Sequence, residues 1–116
     1  MKETYCLDVK DYSGRRTVFT HQQLELKAPN RPELREDGIL ERIRETIENP
    51  TFIYLDLEHS DRFAYYRREY KINSRIKYMK VILQDRKLDL FVITAYRPDY
   101  VKERDKTNLV YGEDNE

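Results

Sequence analysis

Cysteine, histidine and glycine are scarce in this chain of 116 residues, and each shortage excludes a class of site. With Cys6 as the only cysteine, the chain can form neither an internal disulfide nor a multi-cysteine metal site. Two histidines, His21 and His59, are too few for a histidine-rich metal site, although a mixed carboxylate site stays open. Three glycines cannot build the glycine-rich phosphate loop of a kinase or a dehydrogenase. We expect no metal and no cofactor.

Long apolar runs are missing as well. Residues 1–16 lack the apolar segment of a secretory signal. No run approaches the roughly 20 apolar residues that a membrane-spanning helix needs. We therefore expect a cytoplasmic protein without a membrane partner.

The core must come from aromatic and β-branched residues, because only 39% of the chain is apolar and 38% is charged. Ten tyrosines and four phenylalanines supply such a core, so the composition indicates a folded chain rather than a disordered one. The length allows one domain. We predict a single domain over residues 1–104 and an acidic, flexible tail over 105–116.

Positive charge is concentrated in the second half of a chain whose net charge is zero. Residues 60–104 hold twelve lysines and arginines against six acids, which is a local net charge of +6. A basic segment of this kind suits an anionic ligand. Ordinary solvated charge on strands is the alternative.

Two short helices are predicted in the first half of the chain. The hydroxyl of Thr20 can cap a helix over His21–Lys27, which Pro29 then ends. Asp37 is the predicted cap of a second helix over 38–48. Its apolar residues recur at helical spacing, on a stripe formed by Ile39, Leu40, Ile43 and Ile47.

Four strand-like runs follow, at residues 51–57, 62–70, 76–84 and 88–96. Their connections are too short for parallel crossovers, so an antiparallel meander is predicted. Weaker alternation indicates a further short strand near the N-terminus. The predicted fold class is α+β, with N-terminal short helices packed on one face of a four-stranded antiparallel meander.

Alternation along the last two runs assigns their side chains to the two faces of this sheet. The apolar sets are expected beneath the helices: Met79, Val81 and Leu83, then Phe91, Ile93 and Ala95. The opposite face then presents Lys80, Thr94 and Tyr96, together with Leu90 and Val92. The tyrosines and arginines of residues 62–70 add to this surface, which can neutralise a phosphate and stack on a base. Tyrosine and threonine are also ordinary strand residues, so a purely structural role is the alternative.

Three pieces of the sequence occur in an order that resembles a known group. They are Thr20-His21-Gln22 with Arg31-Pro32-Glu33-Leu34, the helix end at 43–50, and the strand pieces at 65–68, 78–83 and 92–96. In these pieces the chain resembles the phage-type nuclease domains of the barnase/EndoU/colicin/RelE-like superfamily. One departure is the missing second histidine before Pro-Glu-Leu, where this chain has Asn30-Arg31.

The resemblance implies a metal-independent endoribonuclease, toxin-like and related to phage nucleases, in which a ribose 2′-OH attacks the adjacent phosphate. The implied catalytic candidates are His21, Arg67, Arg68, Lys80, Thr94 and Tyr96. The implied candidates for substrate binding are Tyr65, Tyr66, Tyr78 and Arg97. The implied partners are the RNA substrate and an acidic antitoxin or immunity protein that covers the active face.

A non-catalytic RNA- or protein-binding module on the same fold is the alternative function. Such a module would bind oligonucleotides with a salt-dependent affinity and leave them intact. His59 lies in a predicted turn and is not expected to be catalytic.

Overall fold

Seven strands, two short α-helices and two 3-10 turns form the computed structural model, which describes residues 4–56, 58–99, 101 and 108–112. The strands are β1 (Tyr5–Lys10), β2 (Arg16–Thr20), β3 (Phe52–Leu55), β4 (Arg62–Ile72), β5 (Arg75–Asp85), β6 (Leu90–Tyr96) and β7 (Leu109–Gly112). The helices are α1 (His21–Lys27) and α2 (Ile39–Glu48), and the 3-10 turns are Ala28–Asn30 and Pro32–Arg35. Among the described residues, no helix has the length and apolarity needed to cross a membrane.

The strands form one mixed sheet in the order β1-β2-β6-β5-β4-β3-β7, so the predicted four-stranded antiparallel meander is wrong. The central strands β3 to β6 do pair antiparallel, but β2 joins β6 in parallel and β7 adds to the free edge of β3. Periodicity identifies a strand without identifying a partner that lies far away in sequence, which is why it does not predict these pairings. Strand β7 lies within the predicted tail, and residues 105–107 and 113–116 of that tail are outside the described residues.

Helix α2 buries the predicted stripe, because Ile39, Ile43 and Ile47 all lie in the core. The helix begins after Gly38, and the predicted cap Asp37 is wrong. Gly38 has φ +78°, a left-handed conformation that glycine adopts without steric cost. Helix α1 has the predicted bounds, and the hydroxyl of Thr20 caps it by accepting a hydrogen bond from the backbone N–H of Gln23 at 3.0 Å.

The two faces of the sheet have separate cores. The helix face packs against α2, and its buried residues include Ile53, Tyr65, Met79, Val81 and Leu83. The opposite side, here called the aromatic face, has a buried cluster of Phe52, Tyr54, Ala64, Tyr66, Tyr78 and Val101. The assignment of Met79, Val81 and Leu83 to the helix face is confirmed.

A β-bulge at Ile93 changes the faces of β6. The register runs from Ile82 opposite Thr94 to Leu83 opposite Val92, so Ile93 is one extra residue in β6. As a result Leu90 and Val92 join Ala95 in the core of the helix face. Strict alternation assigns Leu90 and Val92 to the opposite face and Phe91 to the helix face, and the prediction is wrong for all three.

Strands β6 and β7 are separated in the sheet by β5, β4 and β3. Val101, which follows β6 in the sequence, is buried in the cluster of the aromatic face. The sequence predicts a ligand-binding surface on this face, and the structure covers part of the face with Val101.

The turn between β1 and β2 is joined to the centre of the sheet by a buried carboxylate. One oxygen of Asp11 accepts hydrogen bonds from the Ser13 backbone N–H and hydroxyl and from the Arg15 backbone N–H. The other oxygen accepts the Tyr65 hydroxyl at 2.8 Å. Burial, followed by this hydrogen bond, raises the pKa of Tyr65 above its ordinary range.

Replacing Tyr65 with phenylalanine should therefore destabilise the fold. The Tyr65→Phe variant leaves one Asp11 carboxylate oxygen without its donor, and we expect a loss of about 1.5–3 kcal/mol in the free energy of unfolding. Urea denaturation measures the loss. Tyr70→Phe is the matched control, because Tyr70 is 46% exposed, and it should unfold like the wild type. Equal stability of the two variants would refute the role given to the Asp11–Tyr65 bond.

Candidate functional site

Cations and tyrosines converge on the aromatic face beside β6. In the strand register, Lys80 lies directly opposite Tyr66 on one side and Tyr96 on the other. The neighbouring row places Thr94 opposite Ile82. We call Arg31, Tyr66, Lys80, Thr94 and Tyr96 the candidate site.

Lys80 lies between two aromatic rings. Its Nζ is 5.3 Å from the ring centroid of Tyr66 and 5.6 Å from that of Tyr96, and the residue is only 4% exposed. Aromatic faces attract a cation, and the attraction strengthens when the ammonium is removed from water. Lys80 is therefore a positive charge held beneath the surface.

Arg31 adds a second cation at the same ring. Its Cζ lies 4.1 Å from the ring centroid of Tyr96, and both residues are half-buried. The adjoining 3-10 turn is joined to the end of β6, because Glu33 accepts the backbone N–H of Arg97 at 2.8 Å. Sequence reasoning missed Arg31 as a site residue. The available signal was its position directly before Pro-Glu-Leu, where the resemblance described above implies a functional residue.

Thr94 contributes a buried hydroxyl. The residue is 6% exposed, and its Oγ1 has no hydrogen-bond partner within the described part of the chain. Leaving a hydroxyl unsatisfied in the interior costs free energy. A bound ligand or water could supply the missing partner.

His21 starts α1 and is exposed. Its backbone N–H donates to the Thr4 carbonyl at 3.0 Å, and the Gln23 side-chain amide donates to the Ile93 carbonyl at 2.7 Å. The start of α1 is therefore held beside the segment of β6 that contains Thr94. Among the described residues, no hydrogen bond or ion pair joins the His21 side chain to Thr94 or Tyr96.

Strand β4 places Arg67 and Arg68 on opposite faces of the sheet, an assignment that the sequence alone leaves open. Arg67 is opposite Met79 on the helix face, where it donates to the Asn49 carbonyl at 2.7 Å and lies 4.0 Å from Glu45. Arg68 is opposite Tyr78 on the aromatic face and is exposed.

The predicted substrate-binding tyrosines are buried. Tyr65 lies in the core of the helix face, whereas Tyr66 and Tyr78 belong to the aromatic cluster. Of these three, the structure brings only Tyr66 to the candidate site, through its contact with Lys80.

Arg97 is held in an ion-pair network on the other side of β6. Its Nε lies 2.7 Å from Glu69, its Nη1 lies 2.6 Å from Glu36, and Arg42 is 3.8 Å from the same Glu69. Burial acts to lower the pKa of Arg97, but the hydrogen bonds to Glu69 and Glu36 outweigh it and raise that pKa above its ordinary value. The guanidinium is thus occupied by two carboxylates.

No group of three or more histidine, cysteine, aspartate or glutamate side chains is gathered in a way that could hold a metal ion, within residues 4–56, 58–99, 101 and 108–112.

Removing the Arg97 guanidinium should destabilise the protein. Glu69 has a side chain only 6% exposed, and Arg97→Gln would leave its carboxylate with only the longer contact to Arg42. We expect a loss of about 2–3 kcal/mol, measured by urea denaturation. The further change Glu69→Gln should recover part of the loss by removing the unpaired charge. Arg16→Gln, which breaks an exposed pair with Asp8, is the control and should cause no measurable change. An equal effect of both arginine substitutions would contradict this account.

Comparison of the chain with known protein families, with characterised proteins and with solved structures finds no match.

Proposed function

We propose that this protein is a metal-independent endoribonuclease whose active site is the candidate site on the aromatic face, along β6. The observation behind the proposal is the convergence of Arg31 and Lys80 on the ring of Tyr96, at 4.1 and 5.6 Å. Two cations and a phenolic hydroxyl at one point can bind a phosphodiester and exchange a proton with it.

The proposed reaction is an internal transesterification. The ribose 2′-OH loses its proton to a base and attacks the adjacent phosphorus, and the bond from phosphorus to the 5′ oxygen breaks. An acid then protonates the departing 5′ oxygen. The products are a 2′,3′-cyclic phosphate and a 5′-hydroxyl end, and no co-reactant is required.

The roles follow from chemistry and exposure. His21 and Tyr96 are the groups that exchange protons, since both reach solvent. Arg31 binds the non-bridging phosphate oxygens, while Lys80 stabilises the developing negative charge from behind the Tyr96 ring. Thr94 donates a hydrogen bond. Arg31 also stands where the resembled nucleases have their second histidine, which supports its inclusion.

Cleavage in the absence of metal ions tests the proposal. Purified protein incubated with labelled tRNA and total RNA in excess EDTA should yield discrete fragments that end in 2′,3′-cyclic phosphate. Tyr96→Phe, Arg31→Gln and His21→Ala should each lower the cleavage rate by about 10²-fold.

His59→Ala is the matched control for His21, because His59 is an exposed histidine in the turn before β4. It should cleave at the wild-type rate. Wild-type rates in both Arg31→Gln and Tyr96→Phe would remove the assignment, and so would RNA that stays intact under all conditions.

The burial of Lys80 and Thr94 favours one competing function, a non-catalytic RNA- or protein-binding module. At 4% and 6% exposure, these two side chains leave little surface for an approaching phosphate to contact. Such a module would retain RNA in a salt-dependent complex but leave it intact.

A toxin covered by an acidic antitoxin or immunity protein would instead slow growth when expressed alone. Relief of that slow growth by Tyr96→Phe would separate the toxin from the binding module.

A further inference from the structure

Strands β4 and β5 extend beyond the rest of the sheet as a two-stranded ribbon. The register of β3 along β4 reaches only Tyr66, and that of β6 along β5 reaches only Lys80. Residues 68–77 therefore pair within the described sheet only with one another or with Tyr78, and we call them the ribbon arm. Its tip, Asn73-Ser74, has two positive φ angles of 49° and 66°, which is typical of the tight turn that matches strand twist.

The ribbon arm concentrates positive charge in a protein whose net charge is zero. Its cations are Arg68, Lys71, Arg75 and Lys77. Its only acid, Glu69, is bonded to Arg97 and lies near Arg42, both outside the arm. The charge that the arm presents to solvent is therefore positive.

Cations lie on both faces of the ribbon arm, and a second β-bulge places Lys71 on the same face as Arg68. Glu69 is the extra residue in β4, so Tyr70 rather than Glu69 lies opposite Lys77. Arg75 shares the face of Lys77, two residues nearer the tip, and Arg68 and Lys71 occupy the other face. Tyr70 is 46% exposed beside Lys77 and offers a ring for stacking.

We propose that the ribbon arm binds the sugar–phosphate backbone of a folded RNA, at a distance from the candidate site. The identity of the nucleic acid rests on the proposed ribonuclease function, whereas the backbone binding rests on the charge and shape of the arm. Cations on both faces suit a groove with phosphates along both edges. The minor groove of A-form RNA is wide and shallow, and proteins recognise it by its shape through contacts to the 2′-hydroxyls and to the phosphates on either side of it. The arm reads no base sequence in this arrangement.

The length of the arm defines the substrate class. Arg75 lies five residues before Lys80 along β5, and at about 3.3 Å per residue the separation is about 17 Å. A dinucleotide cannot reach both places. The preferred substrate is therefore an RNA stem–loop, and very short RNA uses the candidate site alone.

Binding without cleavage tests the arm independently of the chemistry. The probe is a 2′-fluoro RNA stem–loop, which keeps A-form geometry but lacks the attacking 2′-OH. The Arg75→Gln/Lys77→Gln variant should raise its Kd about tenfold or more. The logarithm of the association constant falls linearly with the logarithm of the salt concentration. The variant should make this slope less steep by about 0.7–0.9 for each phosphate that it no longer neutralises.

Lys10→Gln/Lys87→Gln is the control, because it removes the same charge from exposed positions at other turns. Its Kd should match the wild type. Thermal unfolding confirms that each variant is folded, and Lys71→Gln/Arg75→Gln gives a second test should the first variant fail to fold. Equal effects of the arm and control variants would overturn the proposal.

Cleavage kinetics and other nucleic acids separate the parts of the proposal. The arm variant should raise KM for a cleavable stem–loop and leave cleavage of a dinucleotide unchanged, whereas an unchanged KM for the stem–loop would overturn the proposal.

A DNA duplex or a single strand that binds as tightly as the stem–loop, with the same dependence on the arm, would overturn the assignment to folded RNA. If all RNA stays intact while the 2′-fluoro stem–loop still binds through the arm, the ribonuclease proposal fails and the backbone-binding arm stands.

Discussion

One extra residue in β6, Ile93, allows this strand to bury apolar side chains in the core and also to contribute Thr94 and Tyr96 to the candidate site. Because of this bulge, Leu90, Val92 and Ala95 all face the helices, while Thr94 and Tyr96 face Lys80. A regular strand could not satisfy both requirements, since its alternation would send Val92 and Thr94 to the same side. The Gln23 side chain donates to the carbonyl of the bulged residue, so the start of α1 stabilises the same irregularity.

A second bulge, at Glu69, has a comparable role in β4. It places the carboxylate of Glu69 where Arg97 can reach it, and Arg97 in turn holds Glu36 at 2.6 Å. Together with the bond from the Arg97 backbone to Glu33, these contacts join the segment of 3-10 turns to the end of β6. Arg31 belongs to that segment, so the network positions the cation that lies over Tyr96.

Two groups of cations in this protein differ in exposure. Lys80 is buried between aromatic rings, where its charge acts at short range on whatever contacts Arg31 and Tyr96. The cations at 68–77 are on a ribbon that projects beyond the neighbouring strands, where their charge is screened by salt. In the function we propose, the first group serves the chemistry at one phosphate and the second retains the nucleic acid.

Local patterns in the sequence determined the helices, the four central strands and the shared face of Lys80, Thr94 and Tyr96, because helical and strand periodicity depend only on near neighbours. Thr20 and the isoleucine stripe of α2 are examples, and both have the predicted roles. Only the tertiary structure decided the parallel β2–β6 pair, the addition of β7, the two bulges and the position of Arg31 beside Tyr96. These features depend on contacts between residues far apart in the chain, and such contacts leave no period in the sequence that could reveal them.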